Sequence, residues 1–324
     1  MLHPLKFRPI LKETLWGGKR LAAKSPSPPK GTIGESWEIS AVEGDISSVS
    51  EGPLKDNDLE ELIEIYTGEL VGDGIYEKYG KEFPLLLKYI DAHDKLSVQV
   101  HPTDEIAKER HNAYGKTEMW YIVDASPEAE IILGFKENCR KDIYTECLAK
   151  GNIEEHLNRI PVKKGDCFFI PAGTVHAIGK GCYIAEIQEN SDITYRIYDY
   201  DRKDKDGNLR ELHTEWAKDV IDFSAQKDKQ IPYRKHIEGT EKILRCPYFS
   251  VNILSLSKKT EKDYFLLDSF VVHMCISGSY TLVYGEDEYT EVKEGDTLLI
   301  PACLKNISII PRDKTEIIEI YVEN

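Results

Sequence analysis

The feature that most constrains this chain is a twelve-residue unit that occurs twice. Gly165 to His176 reads GDCFFIPAGTVH, and Gly295 to Asn306 reads GDTLLIPACLKN. Both copies carry Gly-Asp, a short stretch ending in Ile, then Pro-Ala at the same spacing, so one supersecondary unit is used twice and the chain should fold as two related domains. The copies differ at their ends, where Cys303 and Asn306 stand in place of Gly173 and His176. If His176 does chemistry, the second copy has lost it and the C-terminal domain is expected to be structural.

The rest of the pattern is short-range. Brief apolar-polar alternation over Leu96 to Val100, Glu118 to Val123, Cys167 to Ile170 and Tyr183 to Ile187, broken by Gly and Pro, predicts an all-β barrel or sandwich. Helices are expected over 57–66, where DLEELIEIY has helical spacing behind an Asn57 or Asp58 cap, and over 140–157. KSPSPPKG (24–31) reads as an exposed loop. The polar stretch from Ser224 to Lys235 reads as a linker, dividing a larger domain over 1–226 from a smaller one over 237–324.

Charge and cysteine usage exclude several functions. Lys and Arg number 42 against 57 Asp and Glu, a net charge of −15, with no basic block; a nucleic-acid partner is therefore not expected, and an anionic small ligand needs a local cationic pocket. No apolar run approaches the ~18 residues that span a bilayer, and Met1-Leu2-His3-Pro4 opens no leader pattern. The 7 Cys lack a CxxC pair, which argues against a disulfide framework or a thiolate zinc site. A cytoplasmic protein is expected, as a monomer or homodimer.

A chemistry-bearing group emerges from strand parity. In LSVQVH, period two sends Ser97, Gln99 and His101 to the face opposite Leu96, Val98 and Val100, with Gln99 and His101 ~6.7 Å apart at Cα. Lys116 and Glu118 share a face in the same way, and His176 follows the Pro171-Ala172-Gly173 turn. Two imidazoles, a carboxylate and an amide oxygen complete four protein ligands for a divalent ion. Trp16, Trp37 and Trp120 read as core rather than as a sugar-stacking platform, and KDKD (203–206) as a solvated turn.

Together these residues resemble a known family. Gly165-x5-Pro171-x-Gly173-x2-His176 is similar to the second cupin motif, and Gln99-x-His101-Pro102 with Lys116-x-Glu118 to the first, as modified in type I phosphomannose isomerases. TLWGG (14–18), IGESWE (33–38) and ENSDITYR (189–196) extend the resemblance over nearly the whole chain. It implies a mainly β protein of two cupin domains (double-stranded β-helix, or jelly-roll) with a small helical insertion. It also implies one zinc per chain on Gln99, His101, Glu118 and His176, and an active-site arginine at Arg196. Longer members carry a large helical domain and a histidine before the lysine; here that position is Gly115.

The implied reaction is the reversible isomerisation of mannose 6-phosphate and fructose 6-phosphate, with proton transfer between C1 and C2 through an enediol(ate). Lys116 is the expected cation beside the developing oxyanion. Arg196 is expected to bind phosphate or stabilise the enediolate, Arg202 is a second phosphate candidate, and Asp192 and Glu186 are candidate bases. Two other readings stay open at this point: a non-haem iron oxygenase, which also uses two His and one carboxylate, and a sugar-binding cupin without turnover.

Overall fold

The computed structural model describes the chain except Met1, Pro26, Pro28, residues 226–228 and Asn324. Parts of the expected loop at 24–31 and of the expected linker thus lie outside the described residues. Among the described residues, no helix is long and apolar enough to cross a membrane, and none of the seven cysteines is in a disulfide.

One compact unit comprises Pro9–Trp37 and Leu85–Ile231. It is built on two antiparallel sheets. One has the strand order Cys167–Ile170, Glu118–Ala125, Cys182–Glu189, Leu85–Ala92, Ile10–Gly18, Ile33–Ile39; the other runs Leu157–Pro161, Glu130–Phe135, His176–Ile178, Val98–Val100, Tyr195–Tyr198. A single apolar cluster joins their facing sides, with Ile90, Trp120, Ile122, Phe168 and Ile184 from the first sheet and Ile131, Leu133 and Ile178 from the second. Each such side chain removed from water contributes about 1.5–3 kcal/mol, so this cluster anchors one end of the barrel interior and leaves the other end to polar groups.

The strand Val98–Val100 uses its two faces in an unusual way. Val98 and Val100 point out of the barrel, where they pack with Tyr144, Cys147, Ala217 and Val220 from the helices Lys141–Lys150 and Thr214–Val220. The polar face therefore looks inward. Leu96 departs from the expected parity, joining the interior cluster, because the strand starts only at Val98.

The expected helix over 57–66 forms where a cap is written into the chain. Leu59–Tyr66 is capped by Asp58, which accepts from Glu61 N at 2.8 Å while Glu61 accepts from Asp58 N at 3.3 Å, a reciprocal capping box. The helix expected over 140–157 is shorter, Lys141–Lys150, stopped by Gly151 at φ 69 and followed by a 3-10 turn at Ile153–His156. Asp104–His111 was not foreseen, since Ala107 is its one buried residue and it shows no apolar stripe.

The other unit gathers Met1–Arg8, Glu38–Pro84 and Pro232–Asn324. This grouping differs from the expected 1–226 and 237–324 division: the segment holding the capped helix packs with the C-terminal strands. The reason is visible at the second copy of the repeat. Ala302 N and Cys303 N donate to the carbonyls of Leu70 and Glu69, both at 2.9 Å, so the second Pro-Ala turn holds the short helix Gly68–Val71. In the first copy, Gly173 N donates instead to the His101 carbonyl at 2.9 Å.

The two copies also part in register. His176 and Ile178 face the interior of the first barrel, whereas Ile307 and Ile309 do so in the second, and Asn306 is exposed. A one-residue slip turns every side chain of a strand over, so Asn306 matches His176 in sequence but not in space.

Candidate metal centre

The polar end of the first barrel is assembled from neighbouring strands. His176 is the direct partner of Gln99 across two antiparallel strands, and Gln99 is in turn paired with Arg196. Glu118 opens its strand, and His101 follows Val100. The ligand atoms of His101, Glu118 and His176 all lie within 4.8 Å of one another, and all three residues are buried.

Geometry and electrostatics favour a cation there. His176 Nε2 lies 3.3 Å from Glu118 Oε1, His101 Nε2 lies 3.6 Å from Glu118 Oε2, and the Gln99 amide is 3.3 Å from His176 Nε2. Each histidine anchors its other nitrogen on a backbone carbonyl: His101 Nδ1 donates to Ile193 at 2.8 Å and His176 Nδ1 to Thr174 at 2.9 Å. That fixes the Nε2 lone pairs toward Glu118. Burial, then Lys116, pushes His101 well below its ordinary value, and burial brings His176 down to about 4; both rings are neutral and able to ligate. Burial pushes Glu118 up to about 7 against the pull of Lys116. Glu118 Oε1 is buried without a hydrogen-bond donor, a costly state that a bound ion relieves. The donor set fits a divalent metal.

Lysines complete the cluster. The Lys116 ammonium is bonded to Glu118 Oε2, lies 3.3 Å from His101 Nε2 and 3.9 Å from Glu186 Oε1. Lys88, which the sequence reading did not single out, lies 3.3 Å from Glu186 and 3.6 Å from Glu35. Burial alone would lower Lys88, but Glu35 and Glu186 outweigh it and hold the ammonium above its ordinary value. A lysine inside the apolar run LLLKYIDA, in step with Leu86 and Ile90, was the available signal. Glu35 is delivered by a close backbone crossing, since a Cβ on Gly17 would meet Gly34 N at 2.4 Å. Trp120 and Trp37 are core as expected, with their indole N–H groups on Glu186 at 2.8 Å and Glu35 at 2.7 Å.

The remaining candidates separate. Burial acts to raise Glu186, yet Lys116 and Lys88 hold it below the usual carboxylate range; it is fastened and ionised, unlike a base tuned toward neutrality. Arg202 has its guanidinium on Asp199 and on the Lys95 carbonyl at 2.5 Å. Arg196 donates to the Glu211 carbonyl at 2.9 Å while its Nε is buried without a partner, and burial and Arg210 both work against its charge. Arg210, also missed, chelates Asp199 through Nε at 2.6 Å and Nη2 at 2.5 Å. Asp192 is exposed, beside the Ile193 that holds His101.

A two-sheet barrel with inward-facing His, Glu and His on a shared centre defines a metal-binding cupin. The profile of the phosphomannose isomerase type I catalytic domain matches residues 5–140. The chain is 41% identical to mannose-6-phosphate isomerase ManA of Bacillus subtilis, over 92% of this chain and 93% of that one. It is 36% identical to the mannose-6-phosphate isomerase of Streptococcus mutans, over 94% and 95%. The crystal structure of the Bacillus subtilis mannose 6-phosphate isomerase superposes with a TM-score of 0.87 at 35% identity, covering 99% of this chain and 100% of that one. The chain belongs to the type I phosphomannose isomerase family. With that membership the oxygenase and non-catalytic readings lose their ground.

Proposed function

We propose that this chain interconverts mannose 6-phosphate and fructose 6-phosphate. The observation that carries the reading is the buried His101–Glu118–His176 group with Lys116 against it, in a chain of this family. The resident ion is proposed to be one zinc, held by these three residues and by Gln99 through its amide oxygen after the terminal amide turns. When bound, the ion supplies Lewis acidity toward the substrate oxygens.

The chain's own groups do the rest. Lys116 stabilises the negative charge that develops on the C1–C2 enediol(ate) oxygens, in a site dry enough for a fixed cation to count. Glu186 and Glu35 position Lys116 and Lys88. Arg202 and Arg210 both bond Asp199, and Arg196, beside Gln99 in register, lies within the electrostatic reach of that carboxylate. Three guanidiniums against the Asp199 and Glu211 carboxylates leave an excess of positive charge suited to a phosphate dianion; Arg202, committed to Asp199, anchors the aspartate that Arg210 also bonds. Asp192 keeps its candidacy as the proton-transferring group on position alone. The cytoplasm is the compartment proposed for it, which its anionic sugar-phosphate substrate and its cysteines outside disulfides support.

The test is to incubate metal-replete protein with mannose 6-phosphate and follow fructose 6-phosphate in a coupled assay. Product formation is expected; its absence from zinc-loaded protein overturns the reading.

A further inference from the structure

The C-terminal barrel repeats a feature of the catalytic barrel that the short motif does not reveal. In the first barrel, Lys88, Glu186, Trp120 and Phe168 are direct partners across four adjacent strands. In the second, Asn252, Glu319, His273 and Leu298 form the same row. Phe168 and Leu298 occupy the same place in the repeat, so Glu319 stands where the first barrel has Glu186. Behind this row the second interior is apolar, with Leu254, Cys275 and Ile317. Each barrel thus has one apolar end and one polar end around a buried glutamate.

The polar end of the second barrel opens into a cavity of about 520 Å³, within the ~300–1,000 Å³ range of small-molecule sites. Glu319 is buried at its base, accepting from Asn252 Nδ2 at 2.7 Å and Tyr264 OH at 2.7 Å, with Lys262 Nζ at 2.8 Å. Deeper, His273 Nε2 is buried and without a hydrogen-bond partner, 3.9 Å from Glu319 Oε1. Leu266, 96% exposed, sits at the mouth.

We propose that this cavity binds a small neutral polyhydroxylated molecule, a sugar or polyol without a phosphate. The charges lining it are already engaged: Lys262 with Glu319, Glu323 with Arg245, Asp268 with the Asp73 and Gly74 N–H groups at 2.8 and 2.9 Å, and Asp263 with the Phe265 N–H at 2.8 Å. The one lysine of the lining is held by Glu319, so a phosphate finds no free cation and is repelled by the surplus of carboxylates, which already accept from lysine, arginine or backbone N–H partners. What the walls offer is dipolar: carboxylate and amide lone pairs and phenol hydroxyls for sugar hydroxyls, with the Tyr264 and Tyr321 rings and Leu266 for the C–H face. The second barrel is then a binding domain rather than a scaffold alone.

Saturation-transfer NMR on the full-length, zinc-loaded protein with millimolar D-mannose, D-fructose and D-glucitol tests this. Transfer to at least one of these is expected to persist when mannose 6-phosphate saturates the catalytic site. It should fall about tenfold in Asn252→Ala, which loses a hydrogen bond to the buried charge, and in Leu266→Trp, which narrows the mouth from an exposed position. No transfer to any probe, displacement by mannose 6-phosphate, or full transfer in a folded Leu266→Trp variant overturns the proposal. Turnover measured in the same samples scores the isomerase reading separately.

Discussion

His176 and Gln99 are direct partners on adjacent antiparallel strands, and their side chains meet 3.3 Å apart inside the barrel. One residue comes from the strand after a proline turn and the other from a three-residue strand whose apolar face is covered by helices. The candidate metal group therefore depends on sheet register, not on a flexible loop.

Replacing His176 by Ala should abolish stoichiometric metal retention and reduce turnover to background, read by elemental analysis of dialysed protein alongside the coupled assay. Normal zinc content in that variant would remove His176 from the ligand set.

Lys116→Met should keep the metal yet lower kcat by about 100-fold or more, the usual loss when a preorganised oxyanion partner is removed. An unchanged kcat in metal-replete Lys116→Met would exclude the role given to it.

For the phosphate, Arg210→Ala should raise KM for mannose 6-phosphate by ~10–100-fold with a smaller effect on kcat, since a charged hydrogen bond contributes about 1.5–3 kcal/mol. If KM stays put while kcat collapses, the arginine group acts on the reacting carbons instead.

Gly115 occupies a crossing too tight for a side chain: a Cβ there would meet Asp104 N at 2.6 Å and the Thr103 carbonyl carbon at 2.8 Å. Gly115→Ala is expected to destabilise by about 1–3 kcal/mol, measured by denaturant unfolding, and a histidine cannot be restored here without moving the 102–104 backbone. Wild-type stability in Gly115→Ala would contradict the close approach.

Burial pushes the Glu189 carboxyl up to about 8 from an ordinary 4.5, although Thr117 N donates to it at 2.7 Å. The folded state therefore holds a proton that the unfolded chain releases, so the contribution of Glu189 to stability is fullest below about 4.5 and is lost as pH rises to about 8, by on the order of a few kcal/mol. Glu189→Gln should flatten that slope in unfolding curves taken across the same window. A slope identical to wild type would place the titration elsewhere.

Much of this site was legible because it follows local rules. Parity put Gln99 beside His101 and Lys116 beside Glu118, and the Pro-Ala turn marked His176. Lys88 escaped because its apolar neighbours disguise the strand's inward face, and Arg210 because it sits in an irregular segment with no period. The domain boundary escaped for a different reason: the union of residues 38–84 with the C-terminal strands is a long-range pairing, invisible to any window along the chain. The register slip at Asn306 likewise appears only once neighbouring strands are aligned.

That slip limits what protein engineering can recover. Asn306 is exposed while Ile307 looks inward, and the preceding turn is fastened to the Gly68–Val71 helix by two backbone hydrogen bonds. Grafting histidine onto position 306 would leave an imidazole in bulk water, so reviving metal chemistry in the second barrel requires shortening or rebuilding the turn before any ligand is installed.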